Sequence, residues 1–308
     1  MYDLKYEILK VLSFYDIFEF PLTICEIKKS IGIRKKLEEI YSALELLEQE
    51  NKIQKEDGYY FLPQNLDGAK KRKARFLISL KKMERAKKVA KIFSRFPFIR
   101  FIGVCNSLGY MNAEDKSDID FFIIAESGRL WTARFLTASF LKIFNMRPKN
   151  GENKDKICLS FFISKDFLDI SKIALSDGDP YLFHWMLWLT PLYDSGIYQK
   201  FLKENIWIKK YFPAFYGQDT AFSKILKNPI QRVREAPFIF FPERIIKKFQ
   251  LKVMPRGMKG ALKKGDNSVI INDEMLKFHL IDRRAEYRER FYQKVKSLNP
   301  NFPNPKSQ

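Results

Sequence analysis

Residues 117–124 read Ser117-Asp118-Ile119-Asp120-Phe121-Phe122-Ile123-Ile124, two carboxylates leading into an unbroken apolar run. The run is short and closed by Glu126-Ser127-Gly128, which predicts a buried strand. Side chains alternate across a strand, so Asp118 and Asp120 fall on one face. Upstream, Phe98 to Val104 forms a second strand candidate, and it ends at Cys105-Asn106-Ser107-Leu108-Gly109, where a turn must follow. If that turn opens a helix, it aims backbone N–H groups and the Ser107 hydroxyl at an anion. Downstream, Trp131 to Met146 has helical spacing with Leu136, Phe140 and Phe144 inward, and Lys156 to Ile163 is the next strand.

Two carboxylates on one strand face suit a hard divalent cation and the phosphates that such a cation neutralises. Strand, serine turn, Asp-x-Asp and apolar strand together resemble the polymerase β-like nucleotidyltransferase superfamily over about Phe98 to Ser164. The resemblance implies Mg or Mn as cofactor, an NTP as donor, and transfer of a nucleoside monophosphate to a nucleic acid, protein or small-molecule acceptor. It implies that Asp118 and Asp120 are the catalytic, metal-binding pair and that Asn106 and Ser107 bind the nucleotide. Asn106 stands where the superfamily usually has Gly, and Asn enters left-handed backbone more readily than most residues. Active members also carry a third carboxylate on the following strand, where the best-aligned residue is Ser160. Without it the chain lacks a general base and part of the metal's charge balance. Two functions therefore stand side by side: a working transferase, and a catalytically impaired nucleotide-binding or nucleic-acid-binding regulator.

Working outward, Leu4, Ile8, Leu9, Val11 and Leu12 recur at helical spacing, and a second helix runs from Leu22 to Ile31. A third carries the stripe Leu37, Ile40, Tyr41, Leu44 and Leu47, and Lys52 to Pro63 reads as a hairpin turning at Asp57-Gly58. This order resembles a winged helix over residues 1–65. Its third helix bears Glu38, Glu39, Glu45, Glu48 and Glu50, which repel DNA phosphates, so a packing role competes with nucleic-acid contact. Residues 66–97 read as a basic linker helix, 98–176 as the nucleotidyltransferase-fold domain with a mixed sheet, and 299–308 as a loose tail.

Between them, 177–298 reads as a helical acceptor or partner region. Its helices are Tyr181 to Leu192 and Ile197 to Tyr211, followed by a basic stretch Lys247 to Lys264, an apolar segment Val269 to Ile271 and a last helix behind Asp282. His184, set between aromatic residues, reads as a packing histidine. Arg283, Arg284, Arg288 and Arg290 read either as an exposed helix face or as a phosphate or acceptor clamp. The fold class is thus α+β.

Composition bounds the partners. In 308 residues, 56 Lys and Arg face 36 Asp and Glu, a formal charge of +20 that favours polyanions. Cys25, Cys105 and Cys158 are too dispersed for a disulfide framework or a zinc site and fit a cytoplasmic setting. No segment is long and apolar enough to predict a membrane span.

Overall fold

A computed structural model of the chain describes residues 4–65, 67–149, 151–215, 242–255, 257, 258, 260 and 268–298. The tail at 299–308 and the Asp266-Asn267 turn lie outside the described residues, as does part of the basic stretch before them. No described helix is long and apolar enough to cross a membrane.

The N-terminal elements are α1 (Leu4–Asp16), α2 (Ile24–Ser30), α3 (Leu37–Gln49) and a hairpin of β1 (Gln54–Glu56) and β2 (Tyr59–Phe61). Local chemistry sets their ends. Thr23 and Glu26 cap α2 reciprocally, satisfying N–H groups that a helix start leaves open. Asp57 and Gly58 take positive φ of 52° and 80°, the tight hairpin geometry that Asp-Gly favours. On α3, Glu38, Glu45 and Glu48 are exposed while Ile40, Leu44 and Leu47 are buried. The outward face of this helix is therefore acidic.

Next comes α4 (Gly68–Phe93), which buries two of its basic residues, Arg72 and Lys82. Arg72 is buried between Glu26 at 2.9 Å and the Met111 carbonyl at 3.1 Å. Lys82, also buried, donates to Asp155 at 2.7 Å and to the carbonyls of Ser117 at 2.8 Å and Asp115 at 3.1 Å. The linker helix thus holds the loop that delivers Asp118.

The central elements are β3 (Ile99–Val104), α5 (Asn106–Gly109), β4 (Ile119–Ala125), α6 (Leu130–Ile143) and β5 (Ile157–Ser164). They are followed by α7 (Pro180–Trp188), β6 (Thr190–Asp194), α8 (Tyr198–Glu204), α9 (Ile208–Tyr211), α10 (Glu243–Val253), β7 (Val269–Ile271), β8 (Met275–Phe278) and α11 (Arg284–Leu298). Six strands form one mixed sheet in the order β6-β3-β4-β5-β8-β7. The β4–β5 pair is parallel, with α6 as the crossover, and the other pairs are antiparallel.

The expectation of a helical region at 177–298 needs correction, because β6, β7 and β8 come from it and occupy both ends of the sheet. The apolar run from Tyr181 to Leu192 reads as one helix, yet the helix stops at Trp188 and the chain turns extended through Leu189. Pro191 cannot continue a helix interior, and a strand accepts it at an edge, which is where β6 lies.

Each sheet face has its own core. One face buries Ile102, Phe121, Ile123 and Phe162 under residues of α4, α6 and α10. The other buries Phe101, Phe122 and Phe161 in a cluster that runs on through α7, α8 and α11 into α1, α2 and α3. The N-terminal helices therefore share a continuous apolar core with the sheet face that carries Asp120. Phe14 of α1 meets Phe291 of α11 edge to face at 5.7 Å, and Lys294 bonds Asp16 at 2.6 Å.

Candidate metal and nucleotide site

At the end of β3 the Cys105 N–H donates to the Asp120 carbonyl at 3.2 Å, so the turn after β3 lies against the start of β4. Asn106 then takes a left-handed φ of 54°, the conformation anticipated for it. The helix it opens is a single turn, which makes the helix-dipole contribution to anion binding small. Gly109 closes that turn: a Cβ there would sit 2.7 Å from the Trp188 carbonyl, so glycine allows α5 and the end of α7 to approach.

Asn106 does more than tolerate its backbone. Its Oδ1 accepts from the Tyr181 hydroxyl at 3.0 Å, and its side chain also bonds the Asp120 carboxylate. Serine-turn and carboxylate-strand are thereby tied together, with Ser107 next in the turn.

Asp118 immediately precedes β4 and Asp120 is its second residue. Parallel pairing places Cys158 of β5 opposite Asp120. One ligand atom from each of Asp118, Asp120 and Cys158 lies within 4.8 Å of the other two, and all three residues are half-buried. The Cys158 thiol hydrogen-bonds both carboxylates. Burial first, then the charges of Asp120 and Asp118, pushes that thiol well above the ordinary range, so it is a neutral donor. Burial raises Asp118, and burial followed by repulsion from Asp118 pushes Asp120 up to about 7. Among the described residues neither aspartate takes part in an ion pair, although most cations nearby have acidic partners. The two carboxylate oxygens and the thiol could hold a metal ion, and the Lys82 charge offsets Asp118 only in part. A sulfur as third donor is softer than Mg or Mn prefers, and Mn tolerates mixed donor sets better than Mg.

The register of β5 breaks between Cys158 and Phe161, where two residues, Leu159 and Ser160, oppose the single Phe121 of β4. This bulge means that Phe162 does not share a face with Cys158: it lies in the opposite core with Phe121. Ser160 is buried beside the triad, bonded to the Cys158 side chain and to His279 Nε2 at 3.1 Å. The residue paired with Asp120 is thus Cys158, with Ser160 behind it.

His279 follows β8, and its proximity to Ser160 has no sequence signature. Burial, then the neighbouring Lys277 charge, pushes its imidazole down to about 4, so it is neutral near pH 7. Lys277 donates to Asp282 at 3.0 Å, and Arg284 bridges Asp282 at 2.8 Å and the fully buried Asp179 at 2.7 Å. The arginine cluster therefore divides. Arg284 is an internal brace, Arg288 and Arg290 pair with neighbouring acids, and Arg283 is exposed. Next to this network an open cleft of about 200 Å³ reaches back to Asn106.

His184 packs as the sequence suggested. It stacks on Phe14 at 3.8 Å, and its Nδ1 shares a 2.7 Å hydrogen bond with the Tyr15 hydroxyl. Burial holds it well below the usual histidine range. Comparisons with protein-family models, curated proteins and solved structures find no match to this chain.

Proposed function

We propose that the chain binds a Mg or Mn complex of an NTP at Asp118 and Asp120, beside Asn106 and Ser107, and transfers a nucleoside monophosphate to an acceptor. The observation that carries this reading is the convergence of two carboxylates without an ion-pair partner at the start of β4, against a serine turn hydrogen-bonded to one of them. The bound cation would supply charge neutralisation at the phosphates. In the transfer, an acceptor nucleophile forms a bond to the α-phosphorus, the bond to the bridging oxygen breaks, diphosphate leaves with its electron pair, and the nucleophile loses a proton. Tyr181 and Asn106 fix the orientation of Asp120 through a continuous hydrogen-bonded chain, a positioning role.

Cys158 favours the second reading, a nucleotide-binding regulator with slow or no turnover. A neutral thiol in the third place neither balances a cation's charge nor takes a proton as a carboxylate does. Two measurements test the pair of readings. Calorimetry of NTPs with and without Mg or Mn tests the site, and unchanged affinity in a folded Asp118→Asn, Asp120→Asn variant would sink it. Label transfer from an NTP to self, protein or RNA then separates enzyme from regulator.

A further inference from the structure

The cleft beyond Asn106 has two unlike walls. One is aromatic: Tyr181 and Tyr287 stack with centroids 5.4 Å apart and planes at 22°, and Trp185 and Phe161 continue the surface. The other is cationic, formed by Lys277, Arg283 and Arg284 with Asp282 as the carboxylate among them. Neutral His279 adds a polar ring between this wall and Ser160.

We infer that this cleft is a second binding site, for a small ligand that carries both a planar ring and one phosphate-like anionic group. Its role as acceptor rests on the transferase reading, but its binding does not. At about 200 Å³, and open to solvent, the cleft takes a small ligand in part and is too small to enclose a folded partner or a duplex. The aromatic wall offers ring stacking, which is tolerant of ring identity. Charge capacity limits the anion. Lys277 and Arg284 already share Asp282, and Arg284 also holds Asp179, whereas exposed Arg283 has its fork available to solvent. A triphosphate would therefore exceed what the wall can balance, and a monophosphate would not. Burial first, and then the Arg284 charge, holds the Lys277 amine below the usual lysine range, so the wall retains a positive potential that an anion relieves.

Asp118 and Asp120 do not line the cleft, so its ligand needs no divalent cation. AMP serves as probe, titrated calorimetrically into the full chain in EDTA, with adenosine and inorganic phosphate as half-ligands. The expected result is saturable AMP binding, weaker by about tenfold or more for either half-ligand and for Arg283→Glu, and unchanged in Asp118→Asn, Asp120→Asn. Arg283 is exposed, so its variant should fold, and Lys277→Met offers a second probe of the same wall. Any of three outcomes overturns the site: no saturable AMP binding without metal, binding that requires Mg and the two aspartates, or binding indifferent to both Arg283→Glu and Lys277→Met. Equal affinity for inorganic phosphate and AMP overturns the ring-binding part. The metal-dependent reading fails on a different measurement, Mg-dependent NTP affinity, so the two are separable.

Discussion

Asp282 lines the cleft and Asp120 lies behind it, bonded to the lining residue Asn106, and their surroundings push them in opposite directions. Asp282 is gripped by Arg284 and Lys277, which outweigh its burial and hold its carboxyl well below the aspartate range. Asp120 has burial and the Asp118 charge against it, with an asparagine and a thiol as its partners. In a chain with 56 basic and 36 acidic residues, pairing an acid is easy, as the α4 and α11 contacts illustrate. Holding two half-buried acids together with no ion pair, offset only by the Lys82 charge on Asp118, costs stability, and such a cost is common at functional sites. The difference separates an internal brace from a docking point.

The largest effect that could break this contrast is on binding. Asp118→Asn with Asp120→Asn should lower Mg-dependent NTP affinity by about 100-fold or more while raising the melting temperature of the metal-free protein. Calorimetry and thermal melts read both, and a lower metal-free melting temperature would mean that the acids are structurally satisfied as they stand.

Next in size is the brace. Arg284→Met strands the fully buried Asp179 without its cation and should cost about 3–5 kcal/mol in urea unfolding. A loss below about 1 kcal/mol would put this network in the class of weak surface pairs.

The pH dependence sharpens the comparison because the two signs differ. Folded Asp120 keeps its proton up to about 7, whereas the unfolded chain releases it near the ordinary value of 3.8. The native state binds more protons in between, so metal-free stability should fall as pH rises from about 4 to 7 and level off above. Asp282 does the reverse: its contribution is present above about 4 and is lost as pH falls below that. Asp120→Asn should flatten the upper slope alone, and a slope unchanged by that substitution would assign it elsewhere.

A smaller effect distinguishes the third positions. Cys158→Asp adds a carboxylate opposite Asp120 and should enlarge the Mg-induced rise in melting temperature. Ser160→Asp, one bond further and against His279, should give the lesser rise. Equal shifts for the two variants would dissolve the distinction between them.

Much of this architecture is legible in the sequence. Apolar runs announce β3, β4 and β5, and the Asp118-x-Asp120 spacing does bring the two carboxylates together, Asp118 just before β4 and Asp120 as its second residue. Strict alternation fails on β5, where a bulge that no residue type betrays follows the Asp120–Cys158 pair, so that Phe161 rather than Ser160 pairs with Phe122 and Phe162 enters the opposite core. The short β8 is hidden because Lys277 interrupts its apolar residues, and with it are hidden His279 and the cleft wall. Periodicity also identified the apolar faces of α1 and α3 without saying what would cover them. Residues 1–65 therefore read as a separate unit, while the apolar core of α1, α2 and α3 is continuous with that of the sheet.

The clasp between α1 and α11 bears on how the chain matures during synthesis. Phe14 and Asp16 emerge early from a ribosome, but their partners Phe291 and Lys294 are nearly 280 residues later. Strands β3, β4 and β5 can pair as soon as residue 164 is out, so the nascent protein passes through a stage in which the carboxylate strand exists and its covering is incomplete. Closing so distant a contact comes late and slowly, because loop entropy must be overcome first. On the proposed reading, nucleotide binding should accordingly appear only after α11 has docked, a delay measurable on stalled chains of increasing length.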